Sequence, residues 1–435
     1  MFLAVLLVVR VTAAIVVAPP VVADASGYDA SAYRLLETGS FAYPLYHDAY
    51  WSPAGPDMTV DAAGKQELLT ARPNAYTMPG YPAFLAAIWR VTGYDDNRMM
   101  IARVAQALLS VVTAALVFVL ARRVSERVGL ISLGLLALYP PFTLANSYLT
   151  TEPLHAFLTA ALCVAYLEWL ERPAPARAAL VGLIVGLGLW VRPVLALWVV
   201  AATAVVLWRH RRAVRRWAAQ AAVMALVAAL VMTPWWIRSY VLYDRLVPFG
   251  TSTSVTVMEG LRRDVAEKTP FPWRRNGPAM TSEDREIAAL IQKARDGAPD
   301  TSEDDLALLR YHSGAISSIS SEIIGSYSSH VVSARGRSVL VSLTWPAAVA
   351  PGALGGLPFT VSWVAHAVLL ALSAVGVWLG RARKEVLISA SLLAYAVAFH
   401  APILPLWRYY LPFLPLACIA AAVALSALLR LPRAR

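Results

Sequence analysis

FLAVLLVVRVTAAIVVAPPVVAD, residues 2–24, is an apolar run broken once by Arg10 and closed by Asp24. A helix needs about 20 apolar residues to cross the hydrocarbon of a bilayer, so residues 2–23 read as a span. Asp24 then stands where the bilayer ends, a place where an ionisable group is costly unless it is solvated or used. No basic residue precedes the run and Arg10 interrupts it, so it reads as a retained span and not a leader cleaved near Ala23-Asp24-Ala25. Composition agrees: 58% of the 435 residues are hydrophobic and 15% charged, against about 25% charged in soluble domains.

Working outward, ten spans are expected, at about 2–23, 102–120, 128–147, 152–170, 176–191, 194–208, 217–236, 360–380, 386–405 and 409–429. The arginines test the count. Arg122, Arg123 and Arg127 follow the second span, and Arg172 and Arg177 the fourth. Arg209, Arg211, Arg212, Arg215 and Arg216 follow the sixth. Arg381, Arg383 and Lys384 follow the eighth, and Arg430, Arg433 and Arg435 close the chain. All fall on one side, the positive-inside pattern, which puts both termini in the cytoplasm of a multi-pass plasma-membrane protein. The same distribution accounts for the net charge of +11 without nucleic acid. A break at Arg192-Pro193 divides 176–208 into two spans and keeps Arg177 and the Arg209 cluster on one side. The two cysteines, Cys163 and Cys418, both lie in apolar spans, which indicates neither a disulfide nor a thiolate metal site.

Three regions follow: residues 1–236 as an N-terminal transmembrane module that includes a first extracytoplasmic loop at 24–101, a second loop at 237–345, and C-terminal helices at 346–435. The first loop holds nine acidic and five basic side chains, and the second thirteen of each. Gly, Pro and aromatic residues in the first suggest turns and short interfacial helices. Ser282-Glu283-Asp284 and Ser302-Glu303-Asp304 predict polar helices in the second. Residues 338–345 are expected along the membrane surface.

Five span ends on the extracytoplasmic side carry ionisable groups: Asp24, Glu152, Arg192, Arg238 and Arg408. Arginine forks suit a phosphate, and a nearby carboxylate can act as general base or metal ligand. Simpler readings stand beside these. An Arg or Trp at a span end commonly anchors it at the headgroups, and Glu152 could only cap its helix. His155, three residues after Glu152, is a weak metal signal and more often a satisfied contact. His366 and His400 read as structural.

Asp24-x3-Tyr28-x3-Ala32-x2-Leu35-Leu36-x2-Gly39-x-Phe41, followed by Met78-Pro79-Gly80-Tyr81-Pro82-x-Phe84-Leu85-Ala86, resembles the first outer loop of the C-type (GT-C) glycosyltransferases. The bacterial relatives of the protein O-mannosyltransferases and aminoarabinose transferases are the most similar branch. Ser147 to Glu152 resembles that family's fourth-span entry, and Gly182 to Pro193 its glycine-rich span ending in Arg-Pro. Thr233-Pro234-Trp235-x2-Arg238 resembles its Pro-Trp-x-x-Arg element, and Arg408-Tyr409-x2-Pro412 its final Arg-Tyr-x-x-Pro. The resemblance implies an all-α polytopic bundle. It also implies inverting transfer of a sugar from an isoprenoid phosphate carrier to a lipid, glycan or protein acceptor. Asp24 would be the base, Arg238, Arg408 and Arg192 would hold the donor phosphate, and Tyr28, Glu152, Tyr81 and Tyr409 would position substrate. No cofactor is implied. A divalent cation is possible but not indicated.

Two departures stand out. Asp24 is followed by Ala25 where the mannosyltransferases carry an Asp-Glu pair, and Thr77-Met78 precede Pro79 where an arginine is common. These motifs therefore do not specify the sugar or the acceptor. The competing class is a transporter or lipid-linked sugar flippase. Such proteins favour internal repeats and mid-membrane charges, whereas here the charges gather at one face.

Overall fold

The computed structural model describes residues 2–17, 19, 24–44, 69, 72–252, 256, 339, 343, 356–403 and 406–429. Among them no strand occurs. The helices in order are α1 Phe2–Val16, α2 Asp24–Thr38, α3 Gly80–Thr92, α4 Arg98–Ala121, α5 Glu126–Leu138, α6 Pro140–Leu144, α7 Glu152–Glu171, α8 Pro175–Val191, α9 Val194–Arg209, α10 Val214–Tyr243, α11 Gly356–Leu379, α12 Lys384–His400, α13 Trp407–Tyr410 and α14 Leu414–Leu428. Every expected span falls on a helix or helix pair. By length and composition, however, four helical stretches among the described residues suffice to cross a membrane: Arg98–Ala121, Glu152–Glu171, Arg211–Tyr243 and Arg408–Leu428. A fifth is added if the bent pair around Pro140 counts as one span. Phe2–Val16, Pro175–Val191, Val194–Arg209 and Trp363–Leu379 are apolar but shorter. The chain is thus a multi-pass membrane protein in which several helices span less than the ten-span reading supposed.

The third expected span, 128–147, is not one helix. Ser125 starts α5 by accepting the Val128 N–H at 3.2 Å. The chain then bends by 64° before α6. Pro140 and Pro141 are the cause, since neither can donate to the turn behind it. Leu136 O, which would bond to an N–H at position 140, instead accepts from Arg10 Nη2 at 3.0 Å. Arg10 also donates to Ser110 Oγ, lies over the Phe142 ring at 4.7 Å and is fully buried. It does not reach out to a headgroup, as a lone arginine in a span would.

Close helix contacts use small residues, the usual device where lipid offers no hydrophobic drive between helices. α11 packs on α14. Gly376 lies against the Ala420 carbonyl so tightly that a side chain has no room, and Ser373 Oγ donates to Ala417 O at 2.9 Å. His366 of α11 donates to Leu343 O and accepts from Tyr139 OH at 2.7 Å. Leu343 is one of two described residues of the 338–345 stretch. The rest of that stretch, and the polar helices expected at 281–309, lie outside the described residues. At the end of α7 remote from Glu152, Arg123 pairs with Glu168 and, at 2.8 Å, with Glu171, which also pairs with Lys384 at 2.5 Å.

Among its described residues the first loop holds α2 and α3, packed on each other. Asp29 of α2 accepts from Arg98 Nε at 3.2 Å and from Tyr94 OH at 3.0 Å, fastening α2 to the start of α4. Tyr43 and Asn74 close on each other: Tyr43 N–H donates to Asn74 Oδ1 at 3.1 Å, and Asn74 Nδ2 donates to Tyr43 O at 2.8 Å. Gly80 opens α3 directly against the Trp190 carbonyl, where a Cβ would sit 2.5 Å from the oxygen. Only glycine lets Tyr81 come this close to the end of α8.

Candidate active site

The charged residues Asp24, Glu152, Arg192 and Arg408 each sit at a helix end or in a short turn. Asp24 is the first residue of α2 and Glu152 the first of α7, positions where a carboxylate meets the positive end of the helix dipole. Arg192 ends α8 with φ −153° and ψ 128°. Pro193 forces this extended backbone on the residue before it, and so the guanidinium leaves the helix line. Arg408 and Tyr409 lie in the single turn α13, which Pro412 follows.

Tertiary structure pairs these groups. Arg408 Nη2 donates to Asp24 Oδ2 at 2.7 Å, both side chains being about a third exposed (33% and 31%). Arg192 Nη2 donates to Glu152 Oε1 at 2.9 Å, in a pair that is almost wholly buried. Tyr409 links the pairs, with Arg192 at 4.7 Å and Arg408 at 5.4 Å from its ring centre. Tyr28, one turn after Asp24, meets Tyr81 edge-on at 5.0 Å. Enclosure, and next the charge of Asp24, push the Tyr28 hydroxyl well above its ordinary pKa, so it stays protonated.

Two rows of polar side chains hold this centre from below. Tyr81 OH donates to Gln106 Oε1 at 2.7 Å, and Gln106 Nε2 donates to Asn146 O at 3.0 Å and Tyr148 O at 2.8 Å. Arg103 donates to Ser147 O at 2.9 Å and to Pro19 O at 2.5 Å. Pro19 and Ser147 each lie five residues before a carboxylate, Asp24 and Glu152, so Arg103 sets the separation of their two chain segments. Sequence reading missed both Gln106 and Arg103 as supports. The signal was present: Arg103, Gln106, Ser110 and Thr113 form a polar stripe at helical spacing along an apolar helix.

Of the expected site residues, the fold therefore gathers Asp24, Tyr28, Tyr81, Glu152, Arg192, Arg408 and Tyr409. Arg238 bonds to the first loop. Its Nη2 donates to Phe41 O at 2.6 Å and Asn74 O at 3.0 Å, and its guanidinium lies by the Trp235 and Phe41 rings. It ties α10 to that loop. Two histidines also lie by the gathered residues. His155 is fully buried, edge-on to Phe413 at 5.7 Å, and His400 meets Tyr409 at 5.1 Å. Both ring nitrogens of His155, Glu152 Oε2 and Arg408 Nε are buried without a hydrogen-bond partner among the described residues. No group of three or more His, Cys, Asp or Glu among those residues could hold a metal ion.

Helices that can cross a bilayer, with arginine–carboxylate pairs at one end of the bundle, define an integral-membrane protein with a polar centre at its boundary. Residues 73–237 match the family model described as dolichyl-phosphate-mannose-protein mannosyltransferase. That stretch contains the Pro-Gly-Tyr-Pro element, the fourth-span entry and the Arg192-Pro193 turn, and stops one residue before Arg238. Over that stretch the likeness to the C-type mannosyltransferases is thus a finding. Among solved structures, the chain is similar to the crystal structure of ArnT from Cupriavidus metallidurans bound to undecaprenyl phosphate. The identity is 15% and the TM-score 0.44, covering 98% of this chain and 77% of that one. The same protein in the apo state gives 16% identity and a TM-score of 0.42 over the same shares. No curated protein matches by sequence.

Proposed function

We propose that this protein is an inverting glycosyltransferase that moves a sugar from a polyprenyl-phosphate carrier to an acceptor at the extracytoplasmic membrane face. The observation that carries the reading is the gathering of Asp24, Glu152, Arg192 and Arg408 around Tyr409. Two guanidinium groups at one point suit a phosphate, and a carboxylate among them suits proton removal. The family's own description names a dolichyl-phosphate sugar donor.

In this reading the acceptor hydroxyl or amine attacks the anomeric carbon from the face opposite the phosphate. The carbon–oxygen bond to phosphate breaks as the new bond forms, and the configuration inverts. Asp24 takes the acceptor's proton. The electron pair of the broken bond stays on the carrier phosphate, whose growing charge Arg408 and Arg192 stabilise. A phosphate leaving group needs no proton from a general acid. Glu152 and Tyr28 meet the sugar hydroxyls. Arg238 holds the first loop over the site, and the 237–345 segment covers the acceptor. Both termini lie in the cytoplasm.

The test is a reconstituted assay with a polyprenyl-phosphate-linked sugar and envelope fractions as acceptor source. Carrier phosphate should appear only when acceptor is present, and the transferred sugar should have the opposite anomeric configuration. Movement of intact donor between leaflets without bond cleavage would instead establish a flippase.

A further inference from the structure

Among the described residues, the cations at this centre are already engaged. Arg408 is held by Asp24 at 2.7 Å and Arg192 by Glu152 at 2.9 Å, while Arg238 is bonded to loop carbonyls. Arg408 Nε is spare among the described residues, but a two-pronged phosphate contact needs Nη2 as well, so a phosphate held by both forks must take Nη2 from the carboxylates. Asp24, about a third exposed, can turn to solvent or to the acceptor. Glu152 cannot turn to solvent: its side chain is 3% exposed, and a buried carboxylate stripped of its partner is strongly unfavourable.

His155 answers where Glu152 goes. It lies three residues on, on the same face of α7, a spacing that brings side chains within about 5–6 Å at Cβ. Its two ring nitrogens and Glu152 Oε2 are all buried without partners among the described residues. Native interiors leave few such atoms, and here three fall on neighbouring positions of one helix. A neutral imidazole can donate one N–H to the carboxylate. The other groups facing it are Phe413 at 5.7 Å, and Arg192 and His400 within electrostatic reach. Of these only His400, whose Nδ1–H bonds Ala396 O at 2.8 Å, keeps an acceptor nitrogen, and a neutral nitrogen is a weaker acceptor for that N–H than a carboxylate.

We propose that donor phosphate binds by partner exchange: it takes Arg408 from Asp24 and Arg192 from Glu152, and Glu152 moves to His155. This rests on the glycosyltransferase reading above and assigns His155 a positioning role in it. The two carboxylates are thus built-in competitors for the phosphate site. Donor binding, by removing Arg408, leaves Asp24 to face the acceptor.

The consequence runs against the usual expectation for site mutants. Binding of a polyprenyl phosphate to purified full-length protein is measured beside a polyprenol of the same length. Asp24→Asn and Glu152→Gln should each bind the phosphate lipid more tightly than wild type, by roughly fivefold or more, the scale of an ordinary coupling between sites. His155→Leu should bind it more weakly by a similar factor. His155→Gln, which keeps a donor, should restore wild-type affinity. In the Glu152→Gln background the His155→Leu change should have no effect, because no carboxylate remains to be rehoused. Equal or weaker binding by Asp24→Asn and Glu152→Gln overturns the exchange, as does an undiminished His155→Leu effect in the double variant. Wild-type protein that does not prefer the phosphate to the alcohol overturns the glycosyltransferase reading itself.

Discussion

Arg10 donates to the carbonyl of Leu136 across the interface of α1 and α5, at 3.0 Å. The bond replaces the one that Pro140, four residues on, has no N–H to make. An arginine in an apolar span and a proline-broken helix, each unfavourable alone, are therefore one device. Arg10→Met should destabilise the protein by about 1–3 kcal/mol, the cost of leaving a buried polar group unpaired. Pro140→Ala should offset part of that loss. Thermal unfolding of the single and double variants in detergent checks both, and equal losses in either background would break the link.

Asp24→Asn should fold normally and lower turnover by roughly 100-fold or more, the usual scale for a general base. Glycosyl transfer under saturating donor is the measurement. Near-normal turnover would remove Asp24 from the role.

Arg192→Lys and Arg408→Lys keep charge but lose the planar fork, so affinity for a polyprenyl-phosphate sugar should fall in both. Arg238→Lys should differ: its bonds go to Phe41 O and Asn74 O, so the change should raise the acceptor KM and proteolytic sensitivity of the first loop while sparing donor affinity. Equal donor losses in all three would return Arg238 to the phosphate.

Cysteines placed at Ser52 and Thr281 should react with a membrane-impermeant thiol reagent in intact cells, and one at Ala213 only after the cells are opened. The native Cys163 and Cys418 are buried, which keeps the background low. Labelling at Ala213 alone would invert the topology.

Much of the bundle was legible because apolar runs and arginine-bearing turns obey strong rules. Arg192-Pro193 divided two helices where expected, and Glu152 opened the helix before them. Sequence could also place Asp24, Glu152, Arg192 and Arg408 at one end, since position along a span fixes depth. It could not pair them, because which guanidinium meets which carboxylate depends on helix rotation and crossing. Arg238 is a case in point. Its motif was legible, but its bonds to the backbone carbonyls of Phe41 and Asn74, distant in sequence, were not. Likewise Pro140-Pro141 announced a break in the third span, yet only the tertiary partner Arg10 explains how that break is tolerated.

The mutual hydrogen bonds of Tyr43 and Asn74 join the two ends of the segment between them, while α2, with Asp24 at its head, is anchored separately through Asp29 and Arg98. Closing a longer loop costs only about 0.6 kcal/mol per doubling of its length. The latch therefore lets the length of the 44–73 segment change in evolution at little cost to closure. On the glycosyltransferase reading proposed above, acceptor choice can then diversify while Asp24 and the arginines stay in place.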